Sequence, residues 1–171
     1  FAKTSGGRGV HVFAPIVSAS FTDARHAAIA IGRELARRLP DKITVNWWKE
    51  ERGVRVFVDF NQMARDRLMA SAYSIRPVED ARVSAPLAWD ELPDADPAAF
   101  TVLTMPTRYE ERGDEWAELY RTQPASLAPA LAWYDRDAAA GEGELPYPPD
   151  YPKMPGEPLR VQPSRAKNVQ A

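Results

Sequence analysis

Seven of the sixteen prolines fall between Pro146 and Pro163. Proline fixes φ and removes a backbone donor, so a stretch this dense in it makes neither a helix interior nor a central strand. From Gly141 onward the chain therefore cannot build a core of its own. The sequence divides into a folded part, residues 1–140, and a proline-rich tail, residues 141–171. The tail is expected to wrap the folded part in extended form, anchored by Tyr147, Tyr151 and Met154, and to fray near its end. At 171 residues the chain is long enough for one domain with a real core.

Within the folded part the apolar spacing alternates between two periods. Val10-His11-Val12-Phe13-Ala14 reads as a short strand ended by Pro15. A helix follows, capped by Ser20 or Thr22, with Asp23 in the first turn and Pro40 as its stop. Ala24, Ala28, Ile31, Leu35 and Leu39 make its apolar face, and Arg25, Arg33 and Arg37 fall largely off it. Ile43 to Trp48 and Val54 to Phe60 read as strands joined by Arg52-Gly53, a hairpin. In the second, Val54, Val56, Val58 and Phe60 share one face, and Arg55, Phe57 and Asp59 the other. Ser71 to Ile75 and Phe100 to Met105 are further strand candidates, and Glu110 to Tyr120 a short helix interrupted by Gly113.

Composition excludes several classes. With no cysteine there is neither a disulfide framework nor a thiolate zinc site, which fits a reducing, cytoplasmic setting. No apolar run approaches the ~20 residues of a membrane-spanning helix, and no secretory signal is visible, so no membrane partner is expected. A net charge of −2 does not announce a nucleic-acid binder, although a local basic groove is compatible with it.

Three segments could carry chemistry. In Thr4-Ser5-Gly6-Gly7-Arg8-Gly9-Val10-His11, three glycines in four residues permit a tight turn whose N–H groups form an anion-binding concavity. Ser5 adds a hydroxyl, Arg8 a fork for phosphate oxygens, and His11 an imidazole at the start of the strand. The plain alternative is a turn before a strand, with His11 hydrogen-bonded in the core. The second segment ends in Asp59, a carboxylate out of pattern in an apolar strand and a hard donor of the kind Mg²⁺ and Mn²⁺ prefer. A solvated or salt-bridged acid is the alternative. The third runs from Asn61-Gln62 through Arg65-Asp66-Arg67 to Arg76. Its arginines suit phosphates, although for Arg67 a solvated loop position is the better reading. Trp47-Trp48 offers stacking surface for bases, with at least one of the two expected in the core.

Taken in order, these segments resemble one family. The glycine loop resembles the T-S-G-G-K-G-h-H-V motif of the archaeo-eukaryotic primase superfamily in its bacterial ligase D branch. Lys49-Glu50-Glu51-Arg52 with Val56-Phe57-Val58-Asp59-Phe60-Asn61-Gln62 resembles that branch's K-x-x-R…V-F-V-D-Y-x-Q-N. Ala72-Tyr73-Ser74-Ile75-Arg76-Pro77 resembles A-P-Y-S-x-R, and Pro86-Leu87-Ala88-Trp89-Asp90-Glu91-Leu92 resembles P-L-x-W-D-E-L. The resemblance covers Lys3 to about Trp116.

It implies a mixed α+β fold, mainly an antiparallel sheet flanked by helices, as the C-terminal part of a primase-polymerase catalytic core. It implies template-directed nucleotidyl transfer, for gap filling, end repair or priming, with two Mn²⁺ or Mg²⁺ ions. By resemblance Ser5, Gly6, Gly7, Arg8, His11 and Arg76 bind the triphosphate, and Asp59 is the catalytic, metal-binding aspartate. Lys49, Arg52, Gln62 and Arg65 are candidates for nucleic-acid contact. The partners implied are gapped, primed or broken DNA, ribo- or deoxyribonucleoside triphosphates, and a DNA ligase or an end-binding protein. Asp59 and the glycine loop are expected to face one cleft.

Departures from the pattern are Arg8 for lysine, Met63 for asparagine and Arg65-Asp66-Arg67 for R-G-K or R-G-A, which points to a stand-alone branch. The family's D-x-D pair belongs upstream of the glycine loop, and the chain opens at Phe1 inside the motif. A fragment lacking two of three catalytic aspartates, not competent alone, is therefore expected. The competing readings are a non-catalytic nucleotide- or nucleic-acid-binding module, a Ser5–His11 hydrolase, which lacks a G-x-S-x-G elbow, and a scaffold.

Overall fold

The computed structural model describes residues 1–64, 67–148 and 155–166. Contacts divide the chain into two compact units, one of Phe1–Val17 with Met69–Ala125, the other of Ser18–Leu68 with the segment from Ser126. The fold is mixed α and β. Among the described residues no helix is long and apolar enough to cross a membrane.

The first unit is organised by a three-stranded antiparallel sheet in the order β2-β1-β5, with β1 Ala2–Thr4, β2 Val10–Val12 and β5 Pro86–Leu87. β1 is its buried centre, and Thr4 stitches it to the approach to β5. Its amide donates to the Ala85 carbonyl (2.9 Å), and its hydroxyl donates to the Val83 carbonyl (3.1 Å) and accepts from the Ala85 amide (2.9 Å). Beneath lies a cluster of Val83, Ala85 and Met105, flanked by Tyr73 and Phe100. Glu91, from the Pro86–Leu92 motif, accepts both arms of the Arg108 guanidinium at 2.8 Å and the Ala88 amide at 3.0 Å. That motif is a structural clasp.

Two segments expected as strands, Ser71 to Ile75 and Phe100 to Met105, instead make only single bridges, Ile75 to Val83 and Arg82 to Thr101. Met105 already opens helix α2, Met105–Arg112. The helix expected over Glu110 to Tyr120 is this element displaced toward the N-terminus. Gly113, at φ 72°, ends it in the left-handed region that glycine tolerates.

The second unit packs α1 (Phe21–Arg38) against α3 (Ala128–Ala139) and the pair β3 (Ile43–Thr44) and β4 (Val56–Phe57). Its core is Ile29, Ala30, Trp47, Phe60 and Tyr134. Ser20 caps α1 by accepting the Asp23 amide at 3.0 Å. Gly32 lets the helix approach the sheet, since a Cβ there would lie 2.7 Å from Val45 Cγ1.

Three expectations are corrected here. β3 and β4 pair in parallel, Ile43 with Val56 and Thr44 with Phe57, so they are not a hairpin. The connection coils into a 3₁₀ turn at Lys49–Glu51, and Arg52 donates back to the carbonyls of Asn46 and Trp47. The strand expected over Val54 to Phe60 shortens to β4, Val56–Phe57, so Val54, Val56, Val58 and Phe60 do not share one face: Val54 and Val56 are exposed while Phe60 is buried. On α1 the buried face is the one carrying Arg25, Ile29 and Arg33, while Ile31, Leu35 and Leu39 are exposed.

The arginines are buried because the proline-rich segment supplies acceptors for their donors. Arg25 donates to Asn61 Oδ1, the Glu144 carboxylate and the Leu145 carbonyl, and Arg33 to the carbonyls of Glu142 and Gly143. Tyr147 is buried as expected of an anchor, under the Arg25 guanidinium at 4.2 Å. Tyr151 and Met154 lie outside the described residues.

Candidate phosphate loop and carboxylate pocket

In the first unit, residues 5–9 close on themselves between β1 and β2. The Ser5 amide donates to the Gly9 carbonyl (2.9 Å), and Ser5 Oγ accepts from the amides of Gly7 (3.1 Å) and Gly9 (3.2 Å). The inward N–H groups expected of this loop are thus gathered on the serine hydroxyl. Gly6 is buried at φ 71°, and a Cβ there would sit 2.1 Å from Arg76 Cγ. The loop and Arg76, seventy residues apart, are therefore in contact because position 6 has no side chain. Gly6→Ala is expected to cost about 2 kcal/mol or more, from left-handed strain plus displacement of Arg76. A urea midpoint matching the parent's would contradict the contact. Arg8 is exposed on the loop.

Cross-strand pairing sets Lys3 opposite His11. Lys3 is fully buried, with Nζ 2.9 Å from His11 Nδ1 and 2.5 Å from Ser84 Oγ. Ser84 Oγ in turn donates to the Thr4 carbonyl (2.6 Å). Burial first, and then the charge of Arg76, lowers the Lys3 pKa from 10.5 to about 8. The sequence reading passed over Lys3 and Ser84. The usable signal was a lysine between two small residues, in a segment that then pairs with the His11 strand.

In the second unit Asp59 stands just past β4 and caps the 3₁₀ turn Phe60–Met63. Its Oδ1 accepts the Asn61 amide (3.0 Å) and its Oδ2 the Gln62 side-chain amide (2.8 Å). Asp59, Gln62, Lys49 and Arg52 line one cavity of about 330 Å³. Four of the site candidates thus share a pocket. Phe57 and Asn61 line it too, and Trp47, Arg67, Pro148, Gln162 and Pro163, which sequence reasoning had not assigned to a site with Asp59, complete its walls. Arg52 lies flat over Phe57, its guanidinium 3.6 Å from the ring centroid. Burial lowers the Arg52 pKa, opposed by Asp59 and Glu50. Trp47 is a core residue whose indole donates to the Gln162 carbonyl (3.2 Å). Arg165 covers the Trp48 ring at 4.4 Å. Arg65 lies outside the described residues.

The tail holds this wall in place through Glu50. One carboxylate oxygen accepts the Ser164 hydroxyl (2.5 Å) and the amides of Arg165 and Ala166 (both 3.0 Å). These bonds, the Ser164 hydroxyl foremost, bring the Glu50 pKa down to about 2.

A profile of the primase-polymerase domain of LigD matches residues 1–116, two thirds of the chain. The chain belongs to the LigD primase-polymerase domain family. It is 31% identical over 127 residues to the multifunctional non-homologous end joining protein LigD of Pseudomonas aeruginosa, covering 72% of this chain and 15% of that protein. With LigD of Mycolicibacterium smegmatis the figures are 28% over 154 residues, 90% of this chain and 20% of that protein. The chain thus spans a fifth or less of these relatives. In structure it is similar to the polymerase domain of Mycobacterium tuberculosis ligase D, solved in complex with DNA. That match has a TM-score of 0.64 and 30% identity, over 72% of this chain and 44% of that one. The loop of residues 5–9, Arg76, Asp59 and the Glu91 clasp all lie inside the stretch matching the LigD primase-polymerase domain.

Proposed function

We propose that this chain forms part of a nucleotidyltransferase core that extends primer 3′ ends on gapped, primed or broken DNA. Supporting the reading are the family match and, above all, the gathering of Lys49, Arg52, Asp59 and Gln62 around one pocket. Relatives named for end joining and a neighbour solved with DNA point the same way. A ligase or an end-binding protein is the proposed partner.

In the transfer, the primer 3′-hydroxyl gives up its proton to solvent as its oxygen bonds to the α-phosphorus, and the bond from the α-phosphorus to the oxygen bridging to the β-phosphate breaks, pyrophosphate leaving with that oxygen. Such reactions ask a protein chiefly for positioning and charge neutralisation. Ser5, Gly6, Gly7, Arg8, His11 and Arg76 hold the triphosphate. The Gly7 and Gly9 amides, which donate to Ser5 Oγ, can turn to phosphate oxygens instead, and the Ser5 hydroxyl can donate its own single proton to another. Lys49, Arg52, Gln62 and Arg65 are the proposed contacts to nucleic acid, with Arg52 contributing chiefly a stacked wall.

Asp59 suits a hard divalent ion, Mn²⁺ or Mg²⁺, because its carboxylate keeps lone pairs beyond the two hydrogen bonds it accepts. Among the described residues no three His, Cys, Asp or Glu groups gather to hold an ion, so the remaining donors must come from outside them. An ion held by Asp59 would supply Lewis-acid activation of the 3′-hydroxyl and charge neutralisation at the leaving group.

That same lack of a gathered ligand set favours a second reading, a nucleotide- or nucleic-acid-binding module without chemistry. Template-dependent primer extension by the purified full-length protein separates the two. Binding of both DNA and nucleotide with no product in Mn²⁺ or Mg²⁺ would select the module. His11→Ala is expected to weaken triphosphate binding about tenfold, the loss of one hydrogen bond to a charged group, and DNA binding far less. An unchanged nucleotide Kd in a titration would remove His11 from the site.

A further inference from the structure

We propose that Lys3 is a positioning residue that fixes the ring tautomer of His11, leaving Nδ1 bare and the proton on Nε2. Hydrogen-bond direction carries the argument. Ser84 Oγ spends its proton on the Thr4 carbonyl at 2.6 Å, so toward Lys3 it can only accept. Lys3 Nζ, 2.5 Å away, is therefore the donor in that contact. An ammonium has three protons and no lone pair, so it cannot accept from His11 Nδ1 at 2.9 Å. Nδ1 must then be the acceptor, and a neutral imidazole with a bare Nδ1 carries its hydrogen on Nε2. A pKa of about 8 keeps Lys3 mainly charged at neutral pH, in line with this direction.

Three further observations fix the arrangement. Lys3 is fully buried, so water does not compete for its protons. Lys3 and His11 face each other across the β1–β2 pair, so backbone register sets their separation. The Phe13 ring, 5.8 Å from Nζ, adds a cation–π contact on that side. The chain Lys3 to Ser84 to Thr4 is thus a one-way relay, and His11 Nδ1 is its second branch.

The consequence for chemistry rests on the proposed triphosphate role. A ring with hydrogen on Nε2 presents a neutral donor there, suited to an anionic phosphate oxygen. The opposite tautomer would present a lone pair and repel it. Lys3 thereby acts through His11 rather than on the nucleotide.

The test is tautomer assignment by two-bond ¹H–¹⁵N correlation on ¹⁵N-histidine-labelled full-length protein at neutral pH. His11 and His26 are the histidines of this sequence, and His11→Gln assigns their signals within it. Expected is an Nε2-protonated His11 in the parent protein. In Lys3→Met the signal shifts toward a tautomer mixture, with triphosphate Kd rising about tenfold. A His11 protonated on Nδ1, or on both nitrogens, in the parent overturns the inference without any variant. An unchanged ring pattern in folded Lys3→Met overturns it too. If Lys3→Met does not fold, Ser84→Ala, which removes the acceptor orienting Nζ, is read the same way. A tautomer shift with unchanged nucleotide Kd upholds Lys3 as the positioning residue and sinks instead the triphosphate role of His11.

Discussion

Asp59→Ala in the full-length protein is expected to lower primer extension by ~10³-fold or more while DNA affinity and the fold survive. The fold should survive because Asp59 is exposed and its structural duty is one cap. The alanine variant loses the bond from the Asn61 amide, worth about 1 kcal/mol, and frees the Gln62 amide to solvent. Asp59→Asn refines the test. Asparagine caps about as well as aspartate, so its oxygen keeps the Asn61 amide and the turn at Phe60–Met63 while the negative charge goes, and the Gln62 amide turns over to present its oxygen to the new NH2. Loss of extension in both variants assigns the effect to the charge and hence to a cation. Loss in alanine alone would assign it to the cap. Extension near the parent level in both would remove Asp59 from the metal site.

Asp59 stood out in the sequence because it breaks a local pattern, an acid closing an apolar strand, and its place in the wall of a pocket agrees with that signal, whereas its cap on the Phe60–Met63 turn was not anticipated. Of the two caps the sequence offered, Ser20 and Thr22, the structure uses Ser20, a choice within reach of the sequence because a cap acts on an amide three residues away. The family membership was legible because four motifs recur in order, and the profile match covers all of them.

What was not legible depends on distant partners. The face of α1 that is buried cannot be read from the helix, because Arg25 goes inside only if Glu144 and Leu145, about 120 residues later, receive its protons. The parallel pairing of β3 and β4 was hidden in a similar way. The Arg52-Gly53 signal is a real turn, with Gly53 at φ 57°. Yet Arg52 binds the carbonyls of residues 46 and 47 and winds the connection back beside β3. α3 was not anticipated in the sequence; it opens with Pro129 in its first turn, a position where proline is favoured. At the site, Lys3 escaped notice because its significance lies in a register, Lys3 opposite His11, that no spacing rule announces.

Glu144→Ala is expected to destabilise the second unit by about 3 kcal/mol at neutral pH, the largest stability effect of any single change argued for this chain. The reason is the partner left behind. Arg25 is 1% exposed, and without the carboxylate its charge is held only by the Asn61 side chain, the Leu145 carbonyl and the faces of Tyr147 and Phe60. Those neutral contacts keep the cost at the lower end of the range for an orphaned buried charge. Glu144 also accepts the Tyr134 hydroxyl (2.9 Å) and pairs with His26, which stacks on Tyr134 at 4.0 Å. The variant therefore loosens α1 from α3 as well. Burial pushes the Glu144 carboxyl up, but Arg25, Tyr134 and His26 together outweigh it and hold it below its ordinary value of 4.5. The sign for stability follows. A depressed carboxyl contributes fully above about pH 4.5 and loses that contribution as pH falls through its folded value. The gap between parent and Glu144→Ala, read from urea melts, should thus be widest at neutral pH and narrow below pH 4.5. A gap under ~1 kcal/mol at pH 7, or one that stays constant into acid, would show that the Arg25–Glu144 pair does not hold the helix to the proline-rich segment.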